Sequence, residues 1–149
     1  MRLQTSTLLA LFAVLELTST GGCQRTVAVI GEKYGVSSHH LAKVMGDLAR
    51  AGLVRAVRGA GGGYQFIGST RRLTLLDLIR HFEEPNSVER MASPAAAEIA
   101  ALNEVLDEID DTVRATLGSI TLATMHKIVE RHRSVVETTG VRRQRRGHV

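Results

Sequence analysis

Four glycines within six residues, in the sequence Arg-Gly-Ala-Gly-Gly-Gly at positions 58–63, constrain how this chain can fold more than any other feature. They separate residues 53–57, which have the alternation and β-branched content of a strand, from a second such run at 64–67. Because glycine is unfavourable in helices, the pattern predicts an antiparallel hairpin closed by a tight turn.

The glycine run matches neither common phosphate-binding loop. Tyr64 stands where the dinucleotide-binding fingerprint requires glycine, and the run leads into a strand rather than into the N-terminus of a helix. The phosphate-loop motif also fails, because no Gly-Lys-Ser or Gly-Lys-Thr is present. We therefore interpret residues 58–63 as the turn of the hairpin.

Two predicted helices precede the hairpin. They cover residues 26–34 and about 37–51, with Thr26 capping the first and Ser37 or Ser38 capping the second. Helices joined by a short glycine turn and followed by a hairpin are typical of a winged helix-turn-helix, whose second helix enters the major groove of DNA. The inward face of that second helix is expected to consist of Leu41, Val44, Met45 and Leu48.

The start of the chain imitates a bacterial lipoprotein signal, because Arg2 precedes an apolar run that ends shortly before Cys23. Glu16 interrupts that run, Thr20 replaces the expected leucine, and the run is too short to span a bilayer. We expect instead a cytoplasmic protein whose first helix, over about residues 5–18, is buried. Its core residues would include Leu8, Leu9, Phe12 and Leu15.

Apolar residues recur at steps of three and four along about three heptads in the second half of the chain, between many acidic residues. A small winged domain cannot bury such a seam alone, so we expect it to pair with a second copy. The predicted dimer interface is Ile99, Leu102, Leu106, Ile109, Val113, Leu117 and Ile120. The predicted fold is mainly α, with a winged domain over 1–85 that includes a helix at 74–83, a linker over 86–94, dimerisation helices over 95–136 and a basic, disordered tail over 137–149.

The formal net charge of +4 hides a division along the chain. Residues 1–85 carry ten Lys and Arg against six Asp and Glu, residues 86–125 carry two against seven, and residues 126–149 carry seven against two. Basic ends indicate a polyanion, and double-stranded DNA is the polyanion that suits a winged domain. Tryptophan is absent and Tyr and Phe number only five, which argues against a single-strand binder that stacks bases.

No arrangement of catalytic residues is visible, so the chain is not predicted to be an enzyme. His39 and His40 cannot share a metal ion, because adjacent side chains on a helix point about 100° apart. They are expected either to contact DNA or to lie in solvent. Cys23 is the only cysteine, which excludes a disulfide framework and leaves either an inert residue or a redox sensor beside Arg25.

Three stretches resemble the Rrf-type winged helix-turn-helix regulators, the bacterial family of IscR, NsrR and CymR. They are Val-Ser-Ser-His-His-Leu at 36–41, Leu-Ala-Arg-Ala-Gly-Leu-Val at 48–54 and Val-Arg-Gly-Ala-Gly-Gly-Gly-Tyr at 57–64. The resemblance implies a homodimeric transcriptional regulator, which we expect to be a repressor, bound to a near-palindromic operator. The implied DNA contacts are Ser37, Ser38, His39, His40 and Lys43 on the helix and Arg55, Arg58, Gly59 and Gly61 on the wing, and we add Arg50 as a phosphate contact.

The sequence departs from this family in one respect. Sensor members hold an iron–sulfur cluster on three cysteines between the winged domain and the dimer helix, and residues 84–98 contain none here. We therefore predict no iron–sulfur cluster, no metal and no other cofactor. The input signal stays open between oxidation of Cys23, a small ligand, a partner protein or none. The alternative function is a winged-helix adaptor that regulates a partner protein.

Overall fold

The computed structural model describes residues 3–19, 21–83 and 95–145. These residues form six helices and one two-stranded antiparallel sheet. The mainly helical fold with a winged helix-turn-helix and a long C-terminal helix is confirmed. In chain order the elements are α1 (Thr5–Ser19), α2 (Val27–Tyr34), α3 (Ser38–Arg50), β1 (Val54–Val57), β2 (Gly63–Phe66), α4 (Leu75–Arg80), α5 (Ala96–Ser119) and α6 (Leu122–Arg145).

The helix-turn-helix is defined by its caps. Thr26 accepts the backbone N–H of Val29 at the start of α2, and Ser37 accepts that of His40 at the start of α3. Between the two helices Gly35 adopts a left-handed conformation (φ 63°), which ends α2 and reverses the chain. Local sequence chemistry therefore determines both the length of the turn and the first residue of α3.

The core lies between α1 and the inward face of α3. The four apolar residues predicted for that face, Leu41, Val44, Met45 and Leu48, are all buried. On α1, Leu9, Ala10, Ala13, Val14 and Leu17 are buried against them. Leu8 was expected in this core and is instead 39% exposed, because α1 turns its next residue, Leu9, inward.

The hairpin follows α3 directly. Val54 pairs with Phe66 and Val57 with Gly63, so the predicted hairpin is present, with its turn at residues 58–62. Gly63 was expected in the turn and instead begins β2. The backbone of Arg25 also pairs with that of Tyr64, so the chain before α2 lies along β2. Gly63 is required there, because a Cβ at its φ of 143° would lie 2.4 Å from the carbonyl oxygen of Arg25.

The fourth helix is shorter than expected. A capping box between Thr74 and Asp77 begins α4, but the helix ends at Arg80 rather than at Glu83. The chain then turns, so that Glu83 accepts hydrogen bonds from Gln4 N and Thr7 Oγ1 at the start of α1. Pro85 and the expected linker over 86–94 lie outside the described residues.

The two C-terminal helices differ from expectation at their boundaries. Ile120 caps α5 instead of lying within it. Thr74 pairs with Thr121 in a β-bridge, which connects the junction between α5 and α6 to the residue that caps α4. The second helix was expected to end at Val136, but α6 continues to Arg145, so residues 137–145 of the expected tail are helical. Across the ranges described above, no helix is long and apolar enough to span a membrane.

Candidate nucleic-acid interface

The surface of α3 opposite the core carries a stripe of four residues, His39, Lys43, Gly46 and Arg50. Their spacing of four, three and four residues places them on one face of the helix, which we call the α3 stripe. His39, Lys43 and Arg50 are exposed, and so are the other predicted contacts Ser37, Ser38 and His40. The structure therefore brings every predicted α3 residue to solvent at one end or along one side of the helix.

Arg50 has an acidic neighbour that the sequence reasoning missed. Its guanidinium forms an ion pair with the carboxylate of Asp47, one turn earlier on α3. The arginine side chain is still 74% exposed, so it remains accessible to a phosphate. The opposite charges at positions i and i+3 were a readable signal of this pair.

The wing, which is the hairpin of β1 and β2 with its turn at residues 58–62, carries the remaining predicted contacts. Arg55 lies on β1, and Arg58, Gly59 and Gly61 lie at the turn; all four are exposed. Across the strands, Nε and Nη2 of Arg55 donate to Oε1 of Gln65 at 3.0 and 2.7 Å. Gln65 was not singled out from the sequence, because its role depends on the register of the hairpin.

The segment before α2 supports the wing from one side. Gln65 Nε2 donates to the carbonyl oxygen of Gly22 at 2.9 Å, and the side chain of Gln24 donates to the carbonyl oxygen of Gly61. Cys23 lies between these two attachments and is exposed. The geometry thus places the candidate redox residue beside the wing.

A buried carboxylate fixes the helices behind the interface. Glu16 on α1 is 6% exposed, and it binds the ammonium group of Lys33 and lies 3.9 Å from the guanidinium of Arg25. Tyr34 donates to the same carboxylate at 3.4 Å, and burial, with a further contribution from Glu16, raises the pKa of this phenol. Glu16 therefore connects α1 to α2 through Lys33, and to Arg25, whose backbone pairs with that of Tyr64 on β2. This role of Glu16 was not identified from the sequence.

The apolar seam predicted on α5 is exposed in a single chain. Leu102, Leu106 and Ile109 are 59%, 42% and 53% exposed, and no residue of α5 is buried. The other members, Ile99, Val113, Leu117 and Ile120, are half-buried. Three large apolar side chains of the predicted interface are therefore left in water along α5.

A helix-turn-helix with an exposed, partly basic second helix and a two-stranded wing defines a DNA-binding transcriptional regulator, not an enzyme. The chain belongs to the Rrf2 family, whose model is described as "Iron-dependent Transcriptional regulator" and matches residues 3–128. The resemblance noted in the sequence is thereby confirmed.

Two relatives are also named as transcriptional regulators. BadM of Rhodopseudomonas palustris, named as an HTH-type transcriptional regulator, is 42% identical over 138 residues, which cover 92% of this chain and 88% of BadM. The HTH-type transcriptional regulator CymR of Bacillus subtilis is 32% identical over 123 residues, covering 82% of this chain and 87% of CymR.

Two solved structures share the fold. The structure of B. subtilis CymR, described as the global cysteine regulator, superposes with a TM-score of 0.74 at 28% identity, covering 86% of this chain and 98% of that one. IscR of T. potens superposes with a TM-score of 0.72, also at 28% identity, covering 89% and 90% of the two chains.

The family description mentions iron, and iron–sulfur clusters are held by cysteine thiolates. Cys23 is the only cysteine in the sequence, and a cluster held by three thiolates of one chain cannot be assembled from it. Within residues 3–19, 21–83 and 95–145, no three His, Cys, Asp or Glu side chains are grouped to hold a metal ion. The donor set does not fit an iron–sulfur centre.

Proposed function

We propose that this protein is a homodimeric repressor that acts in the cytoplasm, binds a near-palindromic operator and works without an iron–sulfur cluster. The observation that carries the proposal is the combination, in one chain, of the α3 stripe, whose three long side chains are exposed, and the seam on α5, whose Leu102, Leu106 and Ile109 are exposed. Pairing along α5 would bury the seam and present two copies of α3. Their separation would then be one turn of DNA, about 34 Å, or a multiple of it.

The predicted contacts divide into two roles. Lys43, Arg50, Arg55 and Arg58 carry positive charge on exposed positions and would neutralise phosphates, which positions the protein without reading sequence. Ser37, Ser38, His39 and His40 lie at the N-terminal end of α3, where a recognition helix reads base edges. Gly59 and Gly61 would let the wing turn approach the DNA backbone.

The test is fluorescence anisotropy with the duplex upstream of the protein's own gene, in a series of salt concentrations. We expect the affinity to fall steeply with salt, and Arg58→Ala to weaken binding to all duplexes and reduce the salt slope by about one. Arg114→Ala is the matched control, because Arg114 is exposed and ion-paired but lies on α5. If no duplex is bound even at low salt, the adaptor alternative is favoured. Stoichiometric iron in the purified protein would contradict the absence of a cluster.

A further inference from the structure

Gly46 is the member of the α3 stripe that has no side chain. It lies inside a 13-residue helix, seven residues after His39 and four before Arg50. Glycine is among the least favourable residues at such a position, because it loses the most backbone freedom on folding. A reason for its presence must therefore be sought either in the packing of the chain or in something that α3 contacts.

Packing among the residues that the structure describes does not require this glycine. Of their atoms, a Cβ built on Gly46 would meet only Arg50 Nη1, at 3.7 Å, which is an ordinary contact. Gly31 of α2 provides the contrast, because a Cβ there would lie 3.0 Å from both Ser38 Oγ and the carbonyl oxygen of Val36. The fold thus explains the glycine of α2 and leaves that of α3 unexplained.

We propose that Gly46 is a positioning residue at which the backbone of α3 approaches DNA most closely; this inference rests on the DNA-binding function proposed above. The stripe from His39 to Arg50 spans about 16 Å of helix. Long side chains flank Gly46 on this face, Lys43 on one side and Arg50 on the other, and the backbone of α3 carries no side chain at the position between them. A methyl group at Gly46 would hold the backbone away from the DNA at that point.

The direct test is Gly46→Ala in the full-length protein, with a duplex that the wild-type protein has selected from a randomised pool as the probe. Alanine should stabilise α3 and raise the Tm by about 2–4 °C. The same change should weaken binding to the selected duplex by about tenfold, which is the size of one lost base contact. Opposite effects on stability and on affinity distinguish a residue kept for DNA from one kept for the fold.

Gly118→Ala is the matched control, because it removes another helical glycine where a Cβ would make one ordinary contact within the described part of the chain, with Leu76 Cδ2 at 3.5 Å. It should leave the affinity for the duplex unchanged. Gly46→Ala is also measured in an Arg50→Ala background, because the new methyl group would contact the guanidinium of Arg50. A loss that persists there supports direct approach of the backbone.

Two results would overturn the inference: wild-type affinity in Gly46→Ala, or a loss of affinity that disappears once Arg50 is removed. Failure of the wild-type protein to select any duplex is a different result. It would reject the DNA-binding proposal itself, and the role of Gly46 with it.

Discussion

Arg55 and Gln65 face each other across the two strands of the wing, and two nitrogens of the arginine donate to the single oxygen Oε1 of the glutamine. The amide nitrogen of Gln65 donates in turn to the carbonyl oxygen of Gly22. The guanidinium of Arg55 is therefore oriented by a side chain that is itself held by the segment before α2. Because the side chain of Arg55 is already ordered, it loses less conformational entropy when it binds a phosphate of DNA.

Gln65→Ala should consequently weaken DNA binding although it removes no charge. The cost of ordering one long side chain is about 0.5–1.5 kcal/mol, which corresponds to roughly two- to tenfold in affinity. Arg55→Ala should lose at least as much, and Gln65→Ala should have no further effect in that background. Anisotropy titrations of the two single variants and the double variant measure this. Equal losses from Gln65→Ala with and without Arg55 would contradict the positioning role.

The features predicted well from the sequence depend on short-range patterns. The cap at Thr26 and the inward face of α3 follow from spacing within a few residues and agree with the structure, which also selects Ser37 from the two caps expected for α3, Ser37 or Ser38. The roles of Glu16 and Gln65 depend on partners 17 and 43 residues away, which no local pattern reveals.

Two of the errors at helices, those at α1 and at the end of α6, have different physical causes. The first helix is apolar over most of its length, so periodicity does not distinguish the buried Leu9 from the exposed Leu8. The sixth helix continues beyond the expected end at Val136 through Thr138, Thr139 and Gly140, although these residue types have low helix propensity. Propensity is a weak guide to such boundaries.

Ile109→Glu should convert the proposed dimer into a monomer. Ile109 is 53% exposed at the middle of the α5 seam, and a carboxylate there would face the same carboxylate or apolar side chains in a second copy. Light scattering coupled to size exclusion gives the mass directly. Ala115→Glu is the control, because Ala115 is exposed on the opposite face of α5, among acidic residues. Equal masses for both variants and the wild type would argue against pairing along the seam.

Lys33→Met should destabilise the fold by about 1–3 kcal/mol, because it removes a charged hydrogen-bond partner from the buried carboxylate of Glu16. Replacing both residues, as in Glu16→Leu with Lys33→Met, should be less costly than Lys33→Met alone, since no buried charge is then left short of a partner. Urea unfolding of the three proteins tests the order. A double variant less stable than Lys33→Met would show that packing, not charge, dominates at this position.

Glu83 should make stability depend on pH in the acid range. The hydrogen bond from Thr7, followed by that from the backbone N–H of Gln4, lowers the pKa of Glu83 below its ordinary value of 4.5. A carboxylate with a lowered pKa in the folded state stabilises the fold above its ordinary pKa, and that contribution is lost as the pH falls through the folded pKa.

Glu83→Gln should therefore lower the Tm by a constant amount at neutral pH, about 2–4 °C for the roughly 1 kcal/mol expected of such hydrogen bonds. The difference from the wild type should shrink at acid pH, as Glu83 becomes protonated. The pKa of Asp77 is also lowered, chiefly by the backbone N–H of Thr74, but this affects both proteins equally and cancels in the comparison. Glu130→Gln is the control, because Glu130 is exposed on α6 and pairs only with the exposed Arg133 among the contacts of its carboxylate that the structure describes. A Tm difference for Glu83→Gln that stays constant down to the most acid pH tested would show that its carboxylate is not held in the charged form by the start of α1.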